Sequence, residues 1–152
     1  MEQYEFWTHG VNVHIEYPDR IVGMTGDRRG EPRRSGWGTL VHQKENTTNW
    51  FHFAIPTPVI INNQEVTLSF IRFRAEINES ARIDMIHFRH DNRIIFSQEV
   101  NITNRSVDET FQSPGTMIRK GLALCIQISF LPGDDRGMVI FKGAGGAFLV
   151  KP

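Results

Sequence analysis

A single antiparallel β-sandwich of jelly-roll type, all-β throughout, is the architecture this sequence predicts. Three observations carry the prediction. Apolar and polar residues alternate along most of the chain, as in strands with one buried face. Helical periodicity is almost absent. Clusters of Gly, Pro, Asn and Asp interrupt the alternation at short intervals, the spacing of a sandwich or a partly closed barrel.

The elements follow in chain order. Val11, Val13, Ile15 and Tyr17 alternate with Asn12, His14 and Glu16, a half-buried strand closed by Pro18-Asp19. Trp37 to Gln43 reads as the next strand. In Trp50 to Ile55, Phe51, Phe53 and Ile55 share one face and Trp50, His52 and Ala54 the other, because successive side chains on a strand point to opposite sides. Pro56-Thr57-Pro58 ends that strand by withdrawing ladder donors. Val66 to Ala75, Ala81 to Arg89 and Arg93 to Val100 come next, the last two joined by a short His90-Asp91-Asn92 connection. A single helical turn fits only Asn104 to Phe111, opening at Ser106-Val107-Asp108-Glu109. Leu122, Leu124, Ile126, Ile128 and Phe130 then form the cleanest core strand, stopped by Leu131-Pro132-Gly133-Asp134-Asp135. Gly137 to Lys142 and Ala147 to Val150 complete about nine strands. Gly143-Ala144-Gly145-Gly146 between them reads as a hairpin turn or as a place where backbones approach closely.

Two strands break phase, between Phe70 and Ile71 and between Met85 and Ile86. Each flip requires either a β-bulge or burial on both faces. Two-sided burial would call for a partner subunit as the cover, since 152 residues leave little chain for a third layer.

That length suits one domain, residues 1–152, with no linker, repeat or low-complexity tract. Acidic and basic residues number 17 each, so the formal net charge is zero. This argues against nucleic acid or an anionic membrane as partner and eases self-association. Thirteen of the basic residues are Arg and four are Lys, a bias that suits interfaces and cross-strand ion pairs. Cys125 is the one cysteine, so no intrachain disulfide forms, and its apolar setting reads as a buried, inert thiol. The N-terminus lacks a secretion pattern and no apolar run spans a bilayer, which reads as cytoplasmic placement or leaderless export, without membrane insertion. The Asn-x-Ser/Thr triplets at Asn46, Asn78, Asn101 and Asn104 read as composition.

No constellation carries chemistry outright. His87 and His90 stand three apart, on opposite faces of a continuous strand, and His9, His14, His42 and His52 are isolated. No metal or cofactor is expected, although His14, Glu16 and His52 form the one set that a fold could assemble into a site. There is no Gly-x-Ser-x-Gly elbow, no marked carboxylate pair and no phosphate loop with Gly-Lys-Ser/Thr. Arg28, Arg29, Arg33 and Arg34 make a basic loop, either solvated surface or an anion- or subunit-contacting arm. Trp7, Trp37 and Trp50 stand beside Gly, His or Asn, where they plug sandwich ends or stack against a sugar ring. The candidate interface or ligand face is therefore Trp7, His9, His14, Trp37, Trp50, His52, Arg72 and Arg74.

Trp7-Thr8-His9-Gly10, Glu16-Tyr17-Pro18-Asp19-Arg20, Gly36-Trp37-Gly38-Thr39 and the block Asn49 to Pro58 together resemble a family of small bacterial proteins, an all-β domain of unknown function. The resemblance spans nearly the whole chain. It implies a bacterial single-domain β-sandwich and gives no residue a role. The function expected on these grounds is non-enzymatic association, as a self-assembling subunit or a module for another protein. The alternative is a lectin-like, carbohydrate-binding module using exposed Trp and His.

Overall fold

A computed structural model describes residues 2–22 and 31–150. Among the described residues twelve strands follow in chain order: β1 (Glu2–His9), β2 (His14–Ile15), β3 (Ile21–Val22), β4 (Arg33–Ser35), β5 (Gly38–Gln43), β6 (Thr47–Ile55), β7 (Ile60–Ile61), β8 (Gln64–His90), β9 (Arg93–Gln112), β10 (Met117–Ile118), β11 (Leu122–Phe130) and β12 (Met138–Val150). Every pairing is antiparallel, and the principal order is β2-β6-β11-β8-β12-β5-β3. No helix among the described residues is long and apolar enough to cross a membrane.

The sheet becomes a sandwich because β8 serves both layers. Its first half pairs with β12 and its second with β11, while β9 follows it along both. The corner lies at Asn78–Ser80. There the Asn78 side-chain oxygen accepts from the Ser80 and Met138 amides, both at 3.1 Å, and its amide nitrogen donates to the Arg136 carbonyl at 2.9 Å. Asn78-Glu79-Ser80 looks like a break in the sequence. Those hydrogen bonds satisfy the backbone at the bend, so Val66 to Ala75 and Ala81 to Arg89 are one strand instead of two.

Between the layers the aromatic core closes. Phe51 meets Phe141 at 4.7 Å between ring centroids, and Phe53 meets Phe73 at 6.2 Å and Phe141 at 6.0 Å. Phe51, Phe53 and Ile55 are buried, as are Leu122, Leu124, Ile126, Ile128 and Phe130. Alternation placed both sets in the core, and that is where they lie.

Both phase breaks are β-bulges. Against β12 the register slips between Ala147/Phe70 and Phe148/Leu68, so Ser69 is the extra residue. Against β11 it slips between Gln127/Met85 and Ile128/Ile83, so Asp84 is extra. Each bulge returns the following apolar residue, Ile71 or Ile86, to the core. The phase breaks therefore require no cover over a second apolar face.

Several expected boundaries are corrected. Glu2–His9 forms a strand without alternation, because it lies at a sheet edge where few of its side chains are covered. Val11 to Tyr17 is not a continuous strand. A 3-10 turn at Gly10–Asn12 precedes the two-residue β2, and a second follows at Pro18–Arg20. Glycine is required where the first turn begins, since a Cβ on Gly10 would run into the Phe141 carbonyl oxygen. Asn104 to Phe111 is strand, not a helical turn. Asn104 has φ 52 and shifts the phase between Ile102 and Val107, which hides the alternation. Gly143 to Gly146 continues β12 instead of turning a hairpin, and the close-approach reading is the one that fits.

Candidate functional site

The candidate residues divide between the outer faces of the two layers. On the face of β1, β12, β8 and β9, Cα register aligns Trp7 with Gly145, Arg72 and Thr110, and aligns His9 with Gly143, Arg74 and Asp108. Bulges at Ser69 and Lys142 set this register, so Arg72 and Arg74 face outward while Ile71 and Phe73 face the core.

Trp7 lies flat on the glycine strand. A Cβ built on Gly145 would meet Cδ2, Cε2 and Cγ of its indole at 2.5, 2.7 and 2.7 Å. One ring face thus covers backbone that has no side chain of its own, and the residue remains 40% exposed. The run of glycines admits an aromatic plate onto the outside of the sheet. Beside it, Arg72 grips Asp108 through two parallel bonds, Nε–Oδ1 at 2.7 Å and a terminal nitrogen to Oδ2 at 2.8 Å. This fork raises the guanidinium pKa and lowers that of the carboxyl, so both stay charged. Asp108 was hidden within the segment read as helical.

His9 accepts a bond from the Val11 amide at Nδ1 (3.0 Å), and its Nε2 lies 3.0 Å from the Gly36 carbonyl. That contact brings the β4–β5 hairpin tip, where Trp37 is exposed, beside the end of β1. Arg33 sits 5.9 Å from the Trp37 ring centroid. Arg34 donates to the Val11 and Val13 carbonyls at 2.6 and 2.9 Å and to Thr39 Oγ1 at 3.1 Å. Arg33 and Arg34 thus belong to strand β4, with Arg34 engaged in holding the 3-10 turn. Arg28 and Arg29 lie outside the described residues.

His14, Trp50 and His52 occupy the other outer face. His14 pairs in register with His52, which aligns with Cys125 on β11 and His87 on β8. Buried Asn49 positions this cluster: its oxygen accepts from the Tyr17 and Trp50 amides, and its nitrogen donates to Tyr17 O and Gln43 Oε1. Glu16, held beside Tyr17, reaches His52 at 3.1 Å.

Trp50 on β6 and His87 on β8 come within 5.0 Å, centroid to centroid, although β11 runs between their strands. Their rings meet above β11. Cys125 points to this outer face, yet it is only 2% exposed and stands apart from the main core cluster. Burial pushes its thiol pKa up and, with the Arg89 charge adding to the effect, pushes the His87 imidazole down. A protonated thiol beneath a largely neutral imidazole is a poor nucleophile. Among the described residues, no group of three or more His, Cys, Asp or Glu is placed to hold a metal ion.

Comparison with solved structures gives distant similarities. A family two carbohydrate esterase from Cellvibrio japonicus is 12% identical, with TM-score 0.46, 99% of this chain covered and 36% of the esterase. The chain thus spans about a third of that protein's length. The CBM36-1 domain of a multidomain xylanase from the hindgut metagenome of Trinervitermes trinervoides is 5% identical, with TM-score 0.41 and coverage of 94% and 96%. TmCBM61, solved with β-1,4-galactotriose, is 8% identical, with TM-score 0.41 and coverage of 98% and 87%. These scores are low, and the functional reading rests on the chain's own residues. No curated protein sequence matches the chain. A family model does, over residues 1–145, and the chain belongs to that family of unknown function, DUF6623.

Proposed function

We propose that this protein is a glycan-binding β-sandwich module, with Trp7 as the stacking platform. The observation that carries the reading is the flat indole on Gly145, one face on backbone and the residue 40% exposed. A pyranose ring presents a face of C–H groups that matches an aromatic plane, and its hydroxyls need donors and acceptors at the rim. The Arg72–Asp108 fork supplies both beside the platform. The reading assigns no catalytic step.

Association, as a self-assembling subunit or a module for another protein, is the first function read in the sequence, with glycan binding as its alternative. It was read from two-sided strands, the Arg bias, zero net charge and the lack of catalytic spacing together, and the bulges at Ser69 and Asp84 account for the first of these within one chain. Glycan binding is therefore preferred.

Isothermal titration of a panel of soluble oligosaccharides into the full chain and into Trp7→Ala tests the proposal. Binding by the wild type, weakened about tenfold or more (~1.4 kcal/mol) in Trp7→Ala, is the expected result. Equal affinity in the two proteins, or no binding to any sugar class, would refute it.

A further inference from the structure

We infer that the sugar recognised at the Trp7 face is anionic, its carboxylate or sulfate taken by Arg74; this rests on the glycan reading above. Charges on this face are largely matched in pairs. Asp108 is held by both of its oxygens on Arg72, and Glu76 Oε1 accepts from Lys142 Nζ at 2.7 Å. Glu5 acts on Arg72 through charge alone. Arg74 is exposed, and its guanidinium makes no hydrogen bond among the described residues. Asp108, an electrostatic neighbour of Arg74, already has both of its oxygens bonded to Arg72.

Arg74 is also placed to meet what stacks on Trp7. The indole Cε3 edge lies 3.9 Å from where a Cβ of Gly143 would be, and Gly143 is the register partner of Arg74. The plate therefore extends along β12 toward the Arg74 row. Strands β1 and β8 are two ladder spacings apart, roughly 10 Å. An arginine side chain leaning across Gly143 meets no intervening side chain from that position. Its planar fork matches a carboxylate or sulfate in two-bond geometry. A ring on Trp7 with an acidic substituent directed toward β8 would satisfy both groups.

The test uses three probes of matched length at low salt: a neutral galactan oligomer, an oligogalacturonate and a sulfated galactan oligomer. Each is titrated into the wild type, Arg74→Gln and Arg93→Gln, with melting curves to establish folding. Arg93 lies at the far end of the β8–β9 hairpin and serves as the control for diffuse charge. At least one acidic probe should bind about tenfold more tightly than the neutral one, and added salt should reduce the difference. Whichever acidic probe prevails identifies carboxylate or sulfate as the source. Arg74→Gln should abolish the preference while neutral binding persists, and Arg93→Gln should keep it. Equal binding of neutral and acidic probes, or equal losses in the two variants, would overturn the inference and leave the glycan reading standing. No binding by any of the three probes would overturn the inference, while the glycan reading is decided by the broader oligosaccharide panel.

Discussion

The indole of Trp7 occupies the space that a side chain at Gly145 would need. Three ring atoms lie within 2.7 Å of the missing Cβ. Gly145→Ala must therefore lift the ring or shift β1. The expected cost is about 1–3 kcal/mol, in the range of overpacking, with greater accessibility of Trp7. Denaturant unfolding and acrylamide quenching measure both. Unchanged stability together with unchanged quenching would contradict the contact.

Cys125 is buried under the outer face where the Trp50 and His87 rings meet above β11, so thiol chemistry reports on that face. Native Cys125 should react slowly with a thiol reagent, being both buried and protonated. Trp50→Ala removes the larger of the two rings that meet above β11. The labelling rate should rise about tenfold or more under native conditions, a change checked against a melting curve. A rate that does not respond would mean that Trp50 does not cover the sulfur.

Arg34 ties the Gly10–Asn12 turn to β4 through two backbone carbonyls and Thr39. Its bonds are charge-assisted but partly solvated, so Arg34→Ala should cost about 1–2 kcal/mol. Arg34→Lys should recover only part of this, since an ammonium cannot reproduce the spread of the guanidinium nitrogens. Denaturation midpoints of the three proteins decide the matter.

His42 and His87 both have pKa values lowered in the fold, with burial the leading cause for each. An imidazole whose folded pKa is depressed binds fewer protons folded than unfolded in the window between the two values. Stability therefore rises with pH there, and the contribution is lost as pH falls through about 6.5 and below. Unfolding free energy should be lower at pH 5 than at pH 7.5, and His87→Gln should flatten the slope. A slope unchanged in His87→Gln would remove His87 from the account.

Much of this architecture could be read directly because burial on one face imposes period 2. Phe51, Phe53 and Ile55 on β6 and the even positions of β11 show it without interruption, and both strands lie against the core as alternation requires. Where a strand has no buried face, as in β1, there is no period to read. Where one residue is added or kinked, as at Ser69, Asp84 or Asn104, the period reverses and local reading sees a break.

The candidate residues were legible as types and not as groups. Trp7, Trp50, His52, Arg72 and Arg74 each stood out by chemistry and neighbours in the chain. Their division into two faces was not visible, because it depends on which strand lies beside which. Trp7 and Arg74 are separated by 66 intervening residues and come onto the same face only through β12. Asp108 joins them only through the β8–β9 register.

Alternation, turn residues and the proline stops determined by themselves that this chain forms antiparallel strands around a phenylalanine-rich core. Tertiary structure alone decided how β8 bends from one layer into the other, why two phase breaks need no partner, and what lies over Gly145. The physical reason is the range of the interactions. Strand patterning is set by neighbours one or two residues apart, whereas register, bulges and the seat of an indole on a glycine arise from contacts between distant segments.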